Sequence, residues 1–199
     1  MGLFSFYTKK NNIQEGPNRK KLENNDTAYI WLDDYCQNEM VLAKNIEFIK
    51  SQTLKIFENS SGDKNGFNHC VERQQMPFST IDQEFRVDGL ERFLIECKIP
   101  KFPKIKKESK RVLTYEKSDN KVFGYHNFKL FFDIEGAYIK NLWFELGLIV
   151  SVEQINLINE LFYNLGESYD LVIIDWFNGE LIDLRDKRQI SNYTHRMFK

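Results

Sequence analysis

The side chains best placed to do chemistry lie in Asp88-Gly89-Leu90-Glu91-Arg92-Phe93-Leu94-Ile95-Glu96-Cys97-Lys98. Asp88-Gly89 suits a two-residue hairpin turn, and Phe85–Val87 and Leu90–Ile99 read as the extended segments flanking it. Side chains two apart on a strand share a face, so Glu96 and Lys98 would point the same way. Asp88 and Glu96 could then hold Mg²⁺, while Lys98 orients a water or stabilises charge developing on a phosphate. Other chemistry is thinly provided for. The three His and three Cys are scattered, only His69 and Cys70 are adjacent, and no C-x-x-C or H-E-x-x-H spacing brings two zinc ligands together. No glycine-rich phosphate loop follows a strand.

An acid followed by Glu-x-Lys on an apolar strand resembles the core of the PD-(D/E)xK nucleases, here over eleven residues. The resemblance implies a metal-dependent nuclease with Asp88, Glu96 and Lys98 as its working set. Two features depart from that pattern. The eight-residue gap from Asp88 to Glu96 is short for two adjacent strands, and Pro100, Pro103 and a lysine-rich stretch stand where a helix should follow Lys98. The plainer reading of Glu-x-Lys is a strand face kept wet.

These residues must be positioned by the elements around them. Residues 1–25 are polar and irregular after Phe4, Phe6 and Tyr7. From Asp26 to Asn59 there is no Gly or Pro, and apolar residues recur every three or four positions through Met40, Ile46 and Ile49, which predicts one long helix or two joined near Gln37-Asn38. Residues 60–82 read as a loop. Val122–Ile134 and Tyr138–Val150 are rich in aromatic and β-branched residues and flank Glu135-Gly136, a hairpin. Ser151-Val152-Glu153-Gln154 is a helix-capping pattern, Ile155, Ile158, Leu161, Phe162 and Leu165 line one helical face, and Gly166 offers a stop. Tyr169–Phe177 reads as a buried strand, Asn178-Gly179 as a type I′ turn, and Glu180–Leu184 as the returning strand. Asp186 can cap a last helix with Ile190, Tyr193 and Met197 inward. The expected fold is a single α+β domain: an N-terminal helical portion over 26–59, then a mostly antiparallel sheet portion over 84–199 with helices packed on one face.

The chain has 199 residues and a formal net charge of −1, with 42% hydrophobic and 29% charged residues, which suits a folded protein rather than a disordered one. Lysine, asparagine and isoleucine together make 56 positions, a bias that an AT-rich genome produces without any nucleic-acid role. Positive charge follows the short apolar run at the N-terminus, the reverse of a secretion signal, and no stretch is apolar enough to span a membrane. Reduced thiols at Cys36, Cys70 and Cys97 and a cytoplasmic location are therefore expected. The charge is unevenly spread. Residues 98–121 carry nine bases against three acids, whereas residues 130–183 carry ten acids against Lys140 alone. Unless the two segments neutralise each other, the second presents a negative field that steers cationic partners and repels nucleic acid.

Aromatic residues make 15% of the chain, and Trp176-Phe177 adjoin the Asn178-Gly179 turn, where a side chain is often partly exposed. An aromatic anchor rimmed by Asp175, Glu180 and Asp183, with Glu145 contributing, would make the centre of a protein interface. The plainer reading buries Trp176 under the last helix. The opening Met1-Gly2-Leu3-Phe4-Ser5-Phe6, the Lys/Asn/Ile bias and the closing Tyr169–Trp176 and Leu181–Leu184 strands together look like the immunity proteins of bacterial polymorphic-toxin and contact-dependent inhibition systems. That resemblance implies a non-enzymatic protein, needing no cofactor, that binds one cognate toxin, such as a cationic nuclease domain, and blocks it without touching nucleic acid or membrane.

Overall fold

A computed structural model describes residues 26–31, 34–60, 74–108, 110–149 and 151–196. Its centre is a six-stranded antiparallel sheet. Three strands form a meander: β5 (Asn120–Tyr125), β6 (Phe128–Glu135) and β7 (Tyr138–Leu146). The expected hairpin at Glu135-Gly136 is there, with Gly136 at φ +63. The segment read as one strand from Val122 to Ile134 is itself a hairpin, turning at His126-Asn127. Gly124 makes that hairpin feasible: a Cβ there would sit 2.1 Å from the Phe128 carbonyl oxygen. The second half of the sheet pairs β8 (Leu171–Asp175) with β9 (Glu180–Asp183), and β2 (Asn38–Leu42) lies between β7 and β8 to give the order β5-β6-β7-β2-β8-β9.

The position of β2 overturns the helix expected over 26–59. Asn38-Glu39-Met40-Val41-Leu42 pairs residue by residue with Asp175 back to Leu171, and Glu39 also pairs with Trp143. A strand held on both sides and covered on both faces carries apolar residues toward both, as Met40, Val41 and Leu42 do, so it loses the period-two alternation that marks a half-buried strand. Thr27–Ile30 is a strand too, β1, paired in parallel with β3 (Lys104–Lys107), which pairs with the short β4 (Leu113–Thr114) to make a second, three-stranded sheet. Among the described residues of the expected helical segment, α-helix is confined to Ile46–Ser60, which forms α1 and is entered through a 3-10 turn at Ala43–Asn45.

Helices cover both faces of the large sheet, not one. Alternate residues of β8 show this: Val172 and Ile174 join Val41, Trp176 and Ile49 of α1, whereas Leu171 and Ile173 join Met40, Leu42 and α3. The α3 helix (Val152–Tyr169) starts where expected, with the Ser151 hydroxyl accepting from the Gln154 backbone N–H at 3.3 Å. It runs through Gly166 and ends at Asp170, which takes the left-handed conformation. Gly166 therefore works as a contact point: the helix presses on Leu184, whose carbonyl carbon would lie 2.6 Å from an added Cβ. The α4 helix (Lys187–His195) is capped by the Asp186 carboxylate, which accepts from the Arg188 and Gln189 N–H groups, and it buries Ile190 and Tyr193.

The larger apolar cluster joins the two sheets. Ala28, Ile30 and Ile105 of the small sheet share it with Phe123, Phe128, Phe132 and Phe144 of the large one and with Phe162 of α3. Complete burial of one such aromatic ring contributes about 1.5–3 kcal/mol, so this aromatic layer adds substantially to the cohesion between the two sheets. Among the described residues no helix is long and apolar enough to cross a membrane.

Candidate functional site

The Asp88-to-Lys98 stretch, read as two strands, is instead a helix, α2 (Val87–Glu96). Val87, Leu90 and Leu94 recur at spacings of three and four and pack inward, which is the helical period that the Asp88-Gly89 turn signal obscured. Asp88 sits in the first turn, paired with Arg86 at 2.9 Å, and Glu96 is the last helical residue. Eight residues of helix separate them by about 12 Å along the axis, too far to share one cation. Lys98 follows the helix in the left-handed conformation, at φ +59. The shared strand face on which the nuclease resemblance rested is absent. Cys36 is buried and Cys97 half-buried, and neither is in a disulfide among the described residues, while His69 and Cys70 lie outside the described residues.

The interface residues expected at the C-terminal strands fall into two groups. At the end of β8, the Asp175 side chain is buried and accepts from Asn178 twice, from its backbone N–H at 2.9 Å and from its amide Nδ2 at 2.7 Å. The connection to β9 is a four-residue turn, Trp176 to Gly179, rather than the two-residue type I′ turn expected, and Gly179 at φ +65 closes it. Trp176 continues the alternation of Val172 and Ile174 and is only 4% exposed. Its indole Nε1 donates to Glu39 Oε2 at 3.0 Å, and its backbone N–H donates to the Gln37 carbonyl at 3.0 Å. The exposed anchor expected at Trp176 is thus a core residue, seated against α1 rather than under the last helix. Its neighbour Phe177 is the aromatic that faces solvent, at 58%. The sequence signal for this was the period of two: Phe177 is out of step with the face that carries Val172, Ile174 and Trp176.

Six acids of the expected field are paired locally with cations, Glu135, Glu145, Glu160, Asp170, Glu180 and Asp183. Glu180 pairs with Arg196 at 2.6 Å, Asp183 with Arg185 at 3.2 Å, and Glu145 with Lys129 at 3.3 Å. Arg185 also reaches Asp170 at 2.9 Å. None of these cations belongs to the basic stretch 98–121, so neutralisation comes from nearby residues rather than from that stretch folding across. Asp183 is also separated from the tip, since three residues of strand place it about 10 Å from Glu180. Glu145 lies at the tip's end of the sheet, because Glu39 pairs with Trp143 and Asn38 with Asp175.

What the tip offers is a contact point held rigidly from behind: one aromatic ring outside, one indole bonded inside, and an Asp–Asn clamp between them. The sheet edge beside it is short, four residues of β9, with the Asp183 N–H already donating to Gln189 Oε1 at 3.0 Å. Compared with family models, curated proteins and solved structures, the chain finds no match.

Proposed function

We propose that this protein works by binding another protein, as an immunity protein binds and neutralises a cognate toxin, with the β8–β9 tip as part of the docking face. The observation that carries this reading is the presentation of Phe177: the aromatic ring stands in solvent on a turn whose backbone is fixed by Asp175, Asn178 and the buried Trp176. A rigid aromatic on a pinned turn contributes contact area with little ordering cost, which is what an interface anchor needs. Because Glu180 and Asp183 already hold arginines, recognition at this face rests on contact more than on long-range attraction.

The test is protection. A toxic domain encoded beside this protein's gene is expected; cells expressing that domain should grow when the protein is co-expressed, and the two should elute together as a one-to-one complex. Phe177→Asp should abolish protection while leaving the unfolding midpoint in place. Protection undiminished by that substitution, or none from the unaltered protein, would sink the proposal.

A further inference from the structure

A cleft of about 350 Å³ lies between the small sheet and the outer strands of the large one, at the volume typical of small-molecule sites. Its floor is a polar row across three adjacent strands. Asn120, Asp133 and Asn141 are cross-strand partners on β5, β6 and β7, on the face that also carries the stacked Phe131 and Trp143. Asp133 accepts from the Tyr35 hydroxyl and from the side-chain amides of Asn120 and Asn141, the last at 3.0 Å. Burial, with the neighbouring Cys36 and Asp133, pushes the Tyr35 hydroxyl up in pKa, so it remains a donor. The ladder between β6 and β7 slips at this place: Asp133 pairs with Asn141 but Ile134 pairs with Ile139, which leaves Lys140 as the extra residue of a bulge. Bulges of this kind re-aim side chains and are over-represented beside working sites.

Above the floor, the turn joining β3 to β4 is closed by the Lys110 N–H donating to the Lys107 carbonyl at 2.8 Å. It carries Lys107, Lys110 and Arg111 to the mouth of the cleft. Lys107 lies over the Tyr35 ring, 5.1 Å from its centroid, and none of the three cations has a carboxylate partner among the described residues. The lining's other acid, Asp119, lies beside the Lys121 ammonium, and Lys140 pairs with Glu135 at 2.8 Å. Four cations, Lys107, Lys110, Arg111 and Lys140, line the cleft against two acids, Asp119 and Asp133.

We propose that this cleft is a binding site for a small phosphorylated molecule, its phosphate held by Lys107, Lys110 and Arg111 and its remainder resting on the Tyr35, Asn120 and Asn141 row. A guanidinium and two ammonium groups converging on one turn match a phosphate dianion, with arginine supplying the paired donors that phosphate oxygens accept. The cations are gathered at one pocket rather than strung along a groove, which favours a small ligand over a nucleic-acid strand.

The experiment is isothermal titration of the whole protein with pyrophosphate and with a nucleoside monophosphate, alongside citrate and a single-stranded oligonucleotide. Saturable one-to-one binding of a phosphate probe is expected, weakened at least about tenfold by Lys110→Ala/Arg111→Ala and unchanged by Arg188→Ala, an exposed cation on α4. Asn141→Asp, which sets a second carboxylate on the floor, should weaken it as well; if that variant unfolds, the exposed double variant still decides. No saturable binding, equal loss in the Arg188 control, or tighter binding of citrate or of the oligonucleotide would overturn the proposal. Toxin protection is a separate readout, so failure here leaves the tip's role standing and the reverse also holds.

Discussion

Trp176 and Phe177 are neighbours in sequence with opposite fates, and each fate has an energetic signature. Trp176→Phe removes the hydrogen bond from the indole to the buried Glu39 carboxylate, and losing a bond to a buried charged group costs about 1–3 kcal/mol. Phe177→Ala removes a ring that is already mostly hydrated, so it should change stability by no more than about 0.5 kcal/mol. Urea unfolding of the two variants checks this, and equal losses would mean that Phe177 is packed. The choice between the two was within reach of the sequence, since Val172, Ile174 and Trp176 share a period of two. What obscured it was the attraction of the Asn178-Gly179 pair as a two-residue turn, when Asp175 and Asn178 actually clamp a four-residue one. The acids at this end could not be judged from composition. Whether Glu180 is free depends on Arg196, sixteen residues later, returning to it through α4.

At the scale of elements, two glycines inside helices distinguish a packing role from a tolerated flaw. Glycine in a helix interior costs about 0.5–1 kcal/mol relative to alanine. At Gly89, within α2, an added Cβ meets nothing within 4 Å, so Gly89→Ala should stabilise by about that amount. At Gly166 the same methyl meets Leu184 backbone and side-chain atoms at 2.6 Å, and the backbone atoms cannot step aside as a flexible side chain would. Overpacking of this kind costs about 1–3 kcal/mol, so Gly166→Ala should destabilise despite alanine's better helix propensity. Thermal unfolding of the two variants should therefore move in opposite directions, and a stabilised Gly166→Ala would show that α3 does not bear on Leu184. The helix caps and one hairpin were legible: Ser151, Asp186 and Gly136 act locally and do so where their types indicated. The α2 segment was misread because Asp88-Gly89 is a strong turn signal, yet Val87, Leu90 and Leu94 supply a helical face that packing against the core rewards.

At the scale of the whole molecule, the part least legible in the sequence is the part that unites the fold. The 84–199 segment reads as a self-sufficient α+β unit, but its strands of the large sheet form two separate groups until β2 comes between them: β5-β6-β7 on one side and β8-β9 on the other. No local signal marks this, because β2's partners lie more than a hundred residues away and the pairing of Met40 with Ile173 is decided by tertiary contact. Taking β2 away would leave the inner edges of β7 and β8 without their ladder and would remove Met40, Val41 and Leu42 from both clusters. It would also take away Glu39, which receives the Trp176 indole, and cutting the chain before residue 84 removes Tyr35 as well, which donates to Asp133 in the cleft. A fragment spanning residues 84–199 should accordingly lack a cooperative urea transition and show poor amide dispersion in its proton NMR spectrum. Supplying residues 1–83 as a separate chain should restore both, because the β2–β7 and β2–β8 ladders do not require covalent continuity. A fragment that unfolds cooperatively by itself, at the midpoint of the complete chain, would show that β2 is an accessory strand, and the rigidity argued for the Phe177 tip would then need another source.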